Sequence, residues 1–166
     1  MSGSKNWTQE FFDVGGSQIQ CLKGGSGPPL LFLHGASGML GGWQTHHEEL
    51  SKQYTVYAPY HPGYNESQRP GWIETITDLA HFYLRFVQQL NFDQYVLMGS
   101  SMGGWLAAEI ASMCHHNIKA LVLINAAGIK PEIGEIAEVF MVSEEAEKQL
   151  RFYDPSQVPN YGLYDR

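Results

Sequence analysis

Tyr95-Val-Leu-Met-Gly-Ser-Ser-Met-Gly-Gly-Trp-Leu-Ala-Ala108 decides the architecture of this chain. Tyr95–Met98 is a short apolar run of strand composition, and from Met102 to about His115 the chain reads as a largely apolar helix. Only Gly99, Ser100 and Ser101 remain between them. So sharp a turn forces its central residue into an unusual backbone conformation. Large side chains two residues either side of Ser101 would strike the neighbouring strand and helix. Gly99 and Gly103 carry none, and Gly104 adds room. A Gly-x-Ser-x-Gly spacing between strand and helix is the setting in which a serine hydroxyl is presented as a nucleophile. The helix N-terminus beneath it also favours developing negative charge. The plainer reading makes Ser101 a helix cap. A cap needs no glycine on both sides, so the nucleophile reading is preferred.

Working outward, Leu30-Leu31-Phe32-Leu33 is a continuous apolar run between prolines and His34-Gly35, which suits a strand buried on both faces. His34-Gly35-Ala36-Ser37-Gly38 follows it. Acyl transfer needs donors aimed at an oxyanion. In a strand–turn–helix site one donor is the N–H after the nucleophile, here Met102. The other comes from the loop after the third strand, here Ala36, with Ser37 as the alternative.

The remaining pattern frames these two segments. Glu10–Val14 and Ser17–Leu22 form a hairpin about Gly15-Gly16. A helix is expected from about Trp43 to Lys52, then a strand at Tyr54–Ala58 and a proline-rich loop at Tyr60–Gly71. Thr75–Leu90 is a helix with Ile76, Leu79, Ala80, Tyr83, Leu84, Val87 and Leu90 on one stripe. Thr75 and Asp78 are spaced as a capping box. Lys119–Ile124 reads as a last buried strand. The order is a hairpin, then β-α-β-α-β-α-β, which implies an α/β fold: a mostly parallel sheet with helices on both faces. The chain divides at about residue 130 into an α/β core (1–130) and a helical segment (131–166). In the second, Glu132–Leu150 is acidic and helical, with Ile133, Ile136, Phe140 and Met141 as its apolar stripe. Ser143 caps a second helix starting at Glu144, and Asp154–Arg166 reads as loop.

The net charge of −7 argues against nucleic-acid and anionic-membrane partners. No apolar run is long enough to span a bilayer, and the N-terminus lacks a signal core. A cytoplasmic location is expected. Cys21 and Cys114 are read as free thiols, since two cysteines at this spacing match neither a disulfide scaffold nor a zinc motif. Gly24-Gly25-Ser26-Gly27 lacks the lysine of a phosphate loop. Adjacent histidines on a helix, His46 and His47, should point apart. No cofactor and no metal site is assigned.

Leu30–Gly38, Ala58–Tyr64, Val96–Gly104 and Leu121–Gly128 together resemble the N-terminal part of the α/β-hydrolase fold family. The nearest subgroup is the capped hydrolases, among them carbon–carbon bond hydrolases and esterases. Serine at 101 argues against the epoxide-hydrolase and dehalogenase branches, which use Asp there. Tyr60 stands where the family often has an acid, and Asn65 where it often has Gly. The resemblance implies an α/β-hydrolase sheet lacking its last two strands, with the start of a helical cap after Pro131. It also implies hydrolysis of a small apolar ester or related carbonyl compound through an acyl-enzyme on Ser101.

The resemblance further implies an acid and then a histidine after the nucleophile. Only His115 and His116 follow Ser101, at the far end of a helix rising about 1.5 Å per residue, so neither reaches it. His34 is usually structural in the family, and His61 at the same sheet edge could line the pocket. Three readings stand: the N-terminal portion of a longer hydrolase, which is favoured; a non-catalytic binding module; and a chain completed by a partner or a swapped copy. Lys119–Ile124 would then be an exposed edge inviting self-association. The candidate site is Ser101, with Ala36 and Met102 as oxyanion donors. His34, Ser37, Trp43, Trp105 and Met141 are the pocket candidates for a small-molecule substrate.

Overall fold

The structure, a computed structural model, describes residues 6–136 and 141–157. It falls into two units, Met1–Gly128 and Ile129–Arg166. The first holds a six-stranded sheet of β1 (Trp7–Val14), β2 (Ser17–Gly24), β3 (Pro29–Leu33), β4 (Thr55–Pro59), β5 (Tyr95–Ser100) and β6 (Ile118–Ile124). The strands lie side by side in the order β1-β2-β4-β3-β5-β6. β1 and β2 pair antiparallel from Val14↔Ser17, with Gly15 and Gly16 at φ 61° and 87°. These left-handed conformations are what a two-residue hairpin turn requires. β2 joins β4 antiparallel, and the other three pairings are parallel.

Chain order and spatial order together locate the working edge. From β3 the chain passes through α1 (Thr45–Ser51) to β4 on one side. It then returns through α2 (Ile76–Leu90) across β3 to β5, and through α3 (Met102–Met113) to β6. Right-handed crossovers that reverse direction set their helices on opposite faces. Accordingly Leu31, Leu33, Tyr95 and Leu97 pack with Leu79, Phe82, Tyr83, Phe86, Leu106 and Ile110 of α2 and α3. The alternate residues Leu30, Phe32 and Val96 pack with Val56, Ala58, Met39 and Tyr60, and with Trp43 and Leu50 at the α1 side. The strand order reverses at β3. In α/β sheets it is at the carboxyl ends of the strands beside such a reversal that ligands bind.

Several elements depart from the sequence reading. β1 starts at Trp7 rather than Glu10, since the ladder continues to Trp7↔Gly24 and the Trp7 ring stacks on Trp43 at 5.9 Å. α2 buries Leu79, Ala80, Phe82, Tyr83 and Phe86. Phe82 and Phe86 were outside the expected stripe, and they are buried because α2 packs against β1 as well as α3. Its capping box forms as expected: Thr75 Oγ1 accepts from the Asp78 N–H at 3.1 Å, and Asp78 accepts from the Thr75 N–H at 2.9 Å. α3 ends at Met113, so His115 and His116 follow it. Lys119–Ile124 is a strand but not a buried one. It pairs with β5 on one side only among the described residues, and Leu121 is 40% exposed.

In the second unit the expected helix from Glu132 does not form across 129–136, where Ile133 is 92% exposed. Its isoleucines Ile129, Ile133 and Ile136 are all exposed, so no packed face holds a helix there, and Gly134 stands at φ 97°. Phe140 and the tail from 158 lie outside the described residues. Ser143 does cap α4 (Glu144–Arg151), accepting from the Ala146 N–H at 3.3 Å. No helix among the described residues is long and apolar enough to cross a membrane.

Candidate active site

Ser101 follows the last residue of β5 and precedes the first of α3. Its backbone sits at φ 54°, ψ −118°, a conformation serine rarely adopts. Four backbone hydrogen bonds hold it there. Its N–H donates to the Ile124 carbonyl at 2.9 Å, and its carbonyl accepts from the Gly104, Trp105 and Ala127 N–H groups at 3.0–3.1 Å. A strained residue persists when its surroundings over-determine it. A Cβ on Gly99 would collide with the Gly103 backbone, and one on Gly103 with the Leu33 and His34 carbonyls. The glycine spacing is thus a packing requirement of the turn.

The Ser101 hydroxyl does not cap the helix. The side chain is exposed, and among the described residues it makes no hydrogen bond. The β3–β5 register pairs Leu33 with Gly99. Carried two residues on, that register sets Gly35 against Ser101. A Cβ on Gly35 would stand 3.2 Å from the Ser101 Cβ and 3.8 Å from its Oγ.

Residues 35–38 form a tight turn in which the Gly35 carbonyl accepts from the Gly38 N–H at 3.0 Å. Ala36 and Ser37 are exposed, and Met102 is half-buried at the first turn of α3. The N–H groups of all three donate no hydrogen bond among the described residues. Three backbone donors and one hydroxyl, all unengaged, therefore belong to two loops in contact at one sheet edge.

The histidines near this edge have other work. His34 is 2% exposed. Its Nδ1–H donates to the Gly35 carbonyl at 2.7 Å, and its Nε2 accepts from the His61 N–H at 3.0 Å. Burial brings its pKa down to about 4, against which the bond to Gly35 works weakly. His61 is also buried. Its Nε2–H donates to the His34 carbonyl at 2.9 Å, and its Nδ1 accepts from the Tyr83 hydroxyl at 2.6 Å. Burial first, then the neighbouring His34, holds its pKa well below the usual imidazole value. Both rings are neutral braces between the ends of β3 and β4, with every ring nitrogen engaged. His34 thus fills the core beneath the loop rather than facing a pocket.

His46 and His47 do not point apart as expected for neighbours on a helix. The Gln44 N–H donates to His47 Nδ1 at 3.1 Å, which folds that ring back over the helix start. There its Nε2 meets His46 Nε2 at 3.1 Å. Burial, with His46 and His34 adding, lowers His47 to about 3. Among the described residues no three His, Cys, Asp or Glu side chains gather where a metal ion could be held.

The other pocket candidates separate. Trp43 is packed against Trp7, and its indole N–H donates to Glu48 at 2.9 Å. Trp105 is exposed on α3, its ring close enough to Gly128 that a Cβ there would clash. Met141 belongs to the second unit and is 82% exposed. Sequence reasoning missed Tyr64 and Tyr83. Tyr64 donates from its hydroxyl to the Ala36 carbonyl at 2.9 Å across 28 residues. No local pattern signals so distant a contact. A cavity of about 380 Å³ lies at the opposite end of the sheet, lined by Leu84, Phe92, Tyr95 and Cys114, and does not include Ser101.

Comparison with known proteins gives a consistent result. The family described as alpha/beta hydrolase fold matches residues 28–162. The chain is 30% identical over 134 residues to the 2-hydroxy-6-oxo-6-(2'-aminophenyl)hexa-2,4-dienoic acid hydrolase of Metapseudomonas resinovorans, covering 78% of this chain and 46% of that protein. It is 28% identical over 143 residues to the dihydrolipoyllysine-residue acetyltransferase component of the acetoin cleaving system of Cupriavidus necator, covering 86% and 38%. Among solved structures, a bacterial membrane phospholipase A superposes with a TM-score of 0.71 at 28% identity, covering 78% of this chain and 43% of that one. The chain spans less than half the length of each of these three relatives.

Proposed function

This chain is a member of the α/β-hydrolase fold family, and on that premise we propose that Ser101 is the nucleophile of a hydrolase. The observation that carries the reading is the strained, uncapped Ser101 against Gly35, with the free donors of Ala36 and Met102 on the same two loops. Its hydroxyl oxygen attacks the carbonyl carbon of a small apolar ester or related compound. The proton passes to a base, and the negative oxygen that forms is held by the Ala36 and Met102 N–H groups. Collapse expels the leaving group, which takes up the proton, and leaves an acyl-enzyme for water to hydrolyse. The location proposed is the cytoplasm.

These residues support the nucleophile and the oxyanion donors but not the base. His34, His47 and His61 are held neutral in buried hydrogen bonds. Without a base, turnover drops by several orders of magnitude. The same observation favours a second reading, a non-catalytic ligand-binding module on this fold.

Labelling with a fluorophosphonate separates the two. The hydrolase reading expects slow labelling mapped to Ser101, accelerated by added imidazole as an external base and absent from Ser101→Ala. Equal labelling of wild type and Ser101→Ala, with or without imidazole, overturns it. Robust esterase turnover of residues 1–166 that is lost in Ser101→Ala would overturn the claim that the described residues hold no base.

A further inference from the structure

The oxyanion loop is exposed and rich in glycine, yet both of its peptide planes are tied down. In a trans peptide a carbonyl and the following N–H point in opposite directions, so fixing one aims the other. The Gly35 carbonyl accepts from His34 Nδ1–H at 2.7 Å and from the Gly38 N–H at 3.0 Å, which aims the Ala36 N–H. The next plane is tied by one side chain from elsewhere in the chain. The Tyr64 hydroxyl donates to the Ala36 carbonyl at 2.9 Å, which turns the Ser37 N–H away from Tyr64.

Tyr64 is itself anchored through its backbone and its ring. Its N–H donates to the His61 carbonyl at 2.8 Å, and its carbonyl accepts from the Ser67 N–H at 2.9 Å. Its ring lies 4.9 Å from the His34 ring and 5.9 Å from the His61 ring, centre to centre. The far end of the turn leans on it as well, since a Cβ on Gly38 would stand 3.3 Å from Tyr64 Cδ1. The neighbouring Asn65 holds φ 48°, which keeps the Tyr64 loop tight where glycine would otherwise be favoured.

We propose that Tyr64 is a positioning residue for the oxyanion loop, holding the Ala36–Ser37 peptide in the orientation that presents an N–H and not a carbonyl on the face turned from Tyr64. A flip of that peptide would replace the Ser37 N–H, the alternative oxyanion donor beside Ala36, by a carbonyl oxygen, a dipole of the wrong sign for holding an oxyanion. The consequence for chemistry rests on Ser101 being the nucleophile. The orientation of the peptide does not.

The test compares wild type, Tyr64→Phe and Ser101→Ala. Phenylalanine keeps the ring and removes one oxygen, so the fold is retained. The first readout is the backbone ¹⁵N shift of Ser37 in the free protein, which reports the hydrogen bond on the preceding carbonyl. The second is the affinity for phenylboronic acid, which forms a tetrahedral adduct on a serine oxygen. Tyr64→Phe is expected to move the Ser37 shift and to weaken the boronate by about three- to ten-fold, the effect of one neutral hydrogen bond. An unmoved Ser37 shift overturns the proposal. So does an unchanged boronate affinity when wild type binds and Ser101→Ala does not. If wild type and Ser101→Ala behave alike towards boronate, the nucleophile reading fails instead, and the Ser37 shift alone decides the role of Tyr64.

Discussion

The two loops that meet at Ser101 are held by different means. The Ser101 turn is held by backbone alone: four main-chain hydrogen bonds and the collisions avoided by Gly99 and Gly103. The loop at 35–38 is held largely by side chains. His34 ties it from below, His61 ties His34, Tyr83 ties His61, and Tyr64 ties the Ala36 carbonyl. The first loop is therefore insensitive to protonation and intolerant of volume. The second tolerates less change in its partners and carries titratable groups in the core.

Volume should break the first loop most severely. Gly103→Val places branched carbon against the Leu33 and His34 carbonyls, which are backbone and cannot swing aside. The loss expected is more than about 3 kcal/mol, beyond ordinary overpacking. Urea unfolding should show an unfolded or strongly destabilised protein. A midpoint near wild type would mean the turn is looser than described.

Acid should weaken the second loop next. His34 and His47 titrate at about 4 and about 3 when folded, and His61 also lies below its ordinary value. An unfolded imidazole takes its proton near pH 6.5. The stability these groups contribute is complete above that value and is lost as pH falls toward the folded values. Each contributes a slope of about 1.4 kcal/mol per pH unit in that window. The urea midpoint should fall steadily from about pH 7 to about pH 5, and a flat profile would show that these rings are not held neutral.

The smallest effect sharpens the comparison. Ser101→Gly removes the side chain from a left-handed backbone and should raise stability by about 1 kcal/mol while abolishing labelling. Ser101→Ala keeps the strain and should not gain. Equal stability of the two variants would mean that the turn stores no strain at Ser101.

What could be read in the chain follows the same division. The Gly99–Gly103 turn, the capping box at Thr75–Asp78 and the Gly15-Gly16 hairpin are contacts within a few residues, so composition and spacing carry them. The mostly parallel order also followed, since short apolar strands alternating with helices leave few alternatives. For β6 the edge position was expected and is what the sheet shows among the described residues, whereas the burial suggested by its apolar run was not, because an apolar strand looks the same whether one edge is paired or two. The helix expected from Glu132 misled because apolar spacing without a surface to pack on does not hold a helix. The full buried face of α2 needed the neighbouring elements.

Ser101 and its turn were thus determined by the sequence itself, because the forces that place them are local: sterics, backbone hydrogen bonds and a helix start. The brace on the loop beside it was decided only in the tertiary structure. Tyr64 and Ala36 are 28 residues apart, His61 and His34 are 27 apart, and each pair meets because adjacent parallel strands end together. Spacing along a chain encodes a turn, but a hydrogen bond between the ends of two strands exists only once the sheet has set them side by side.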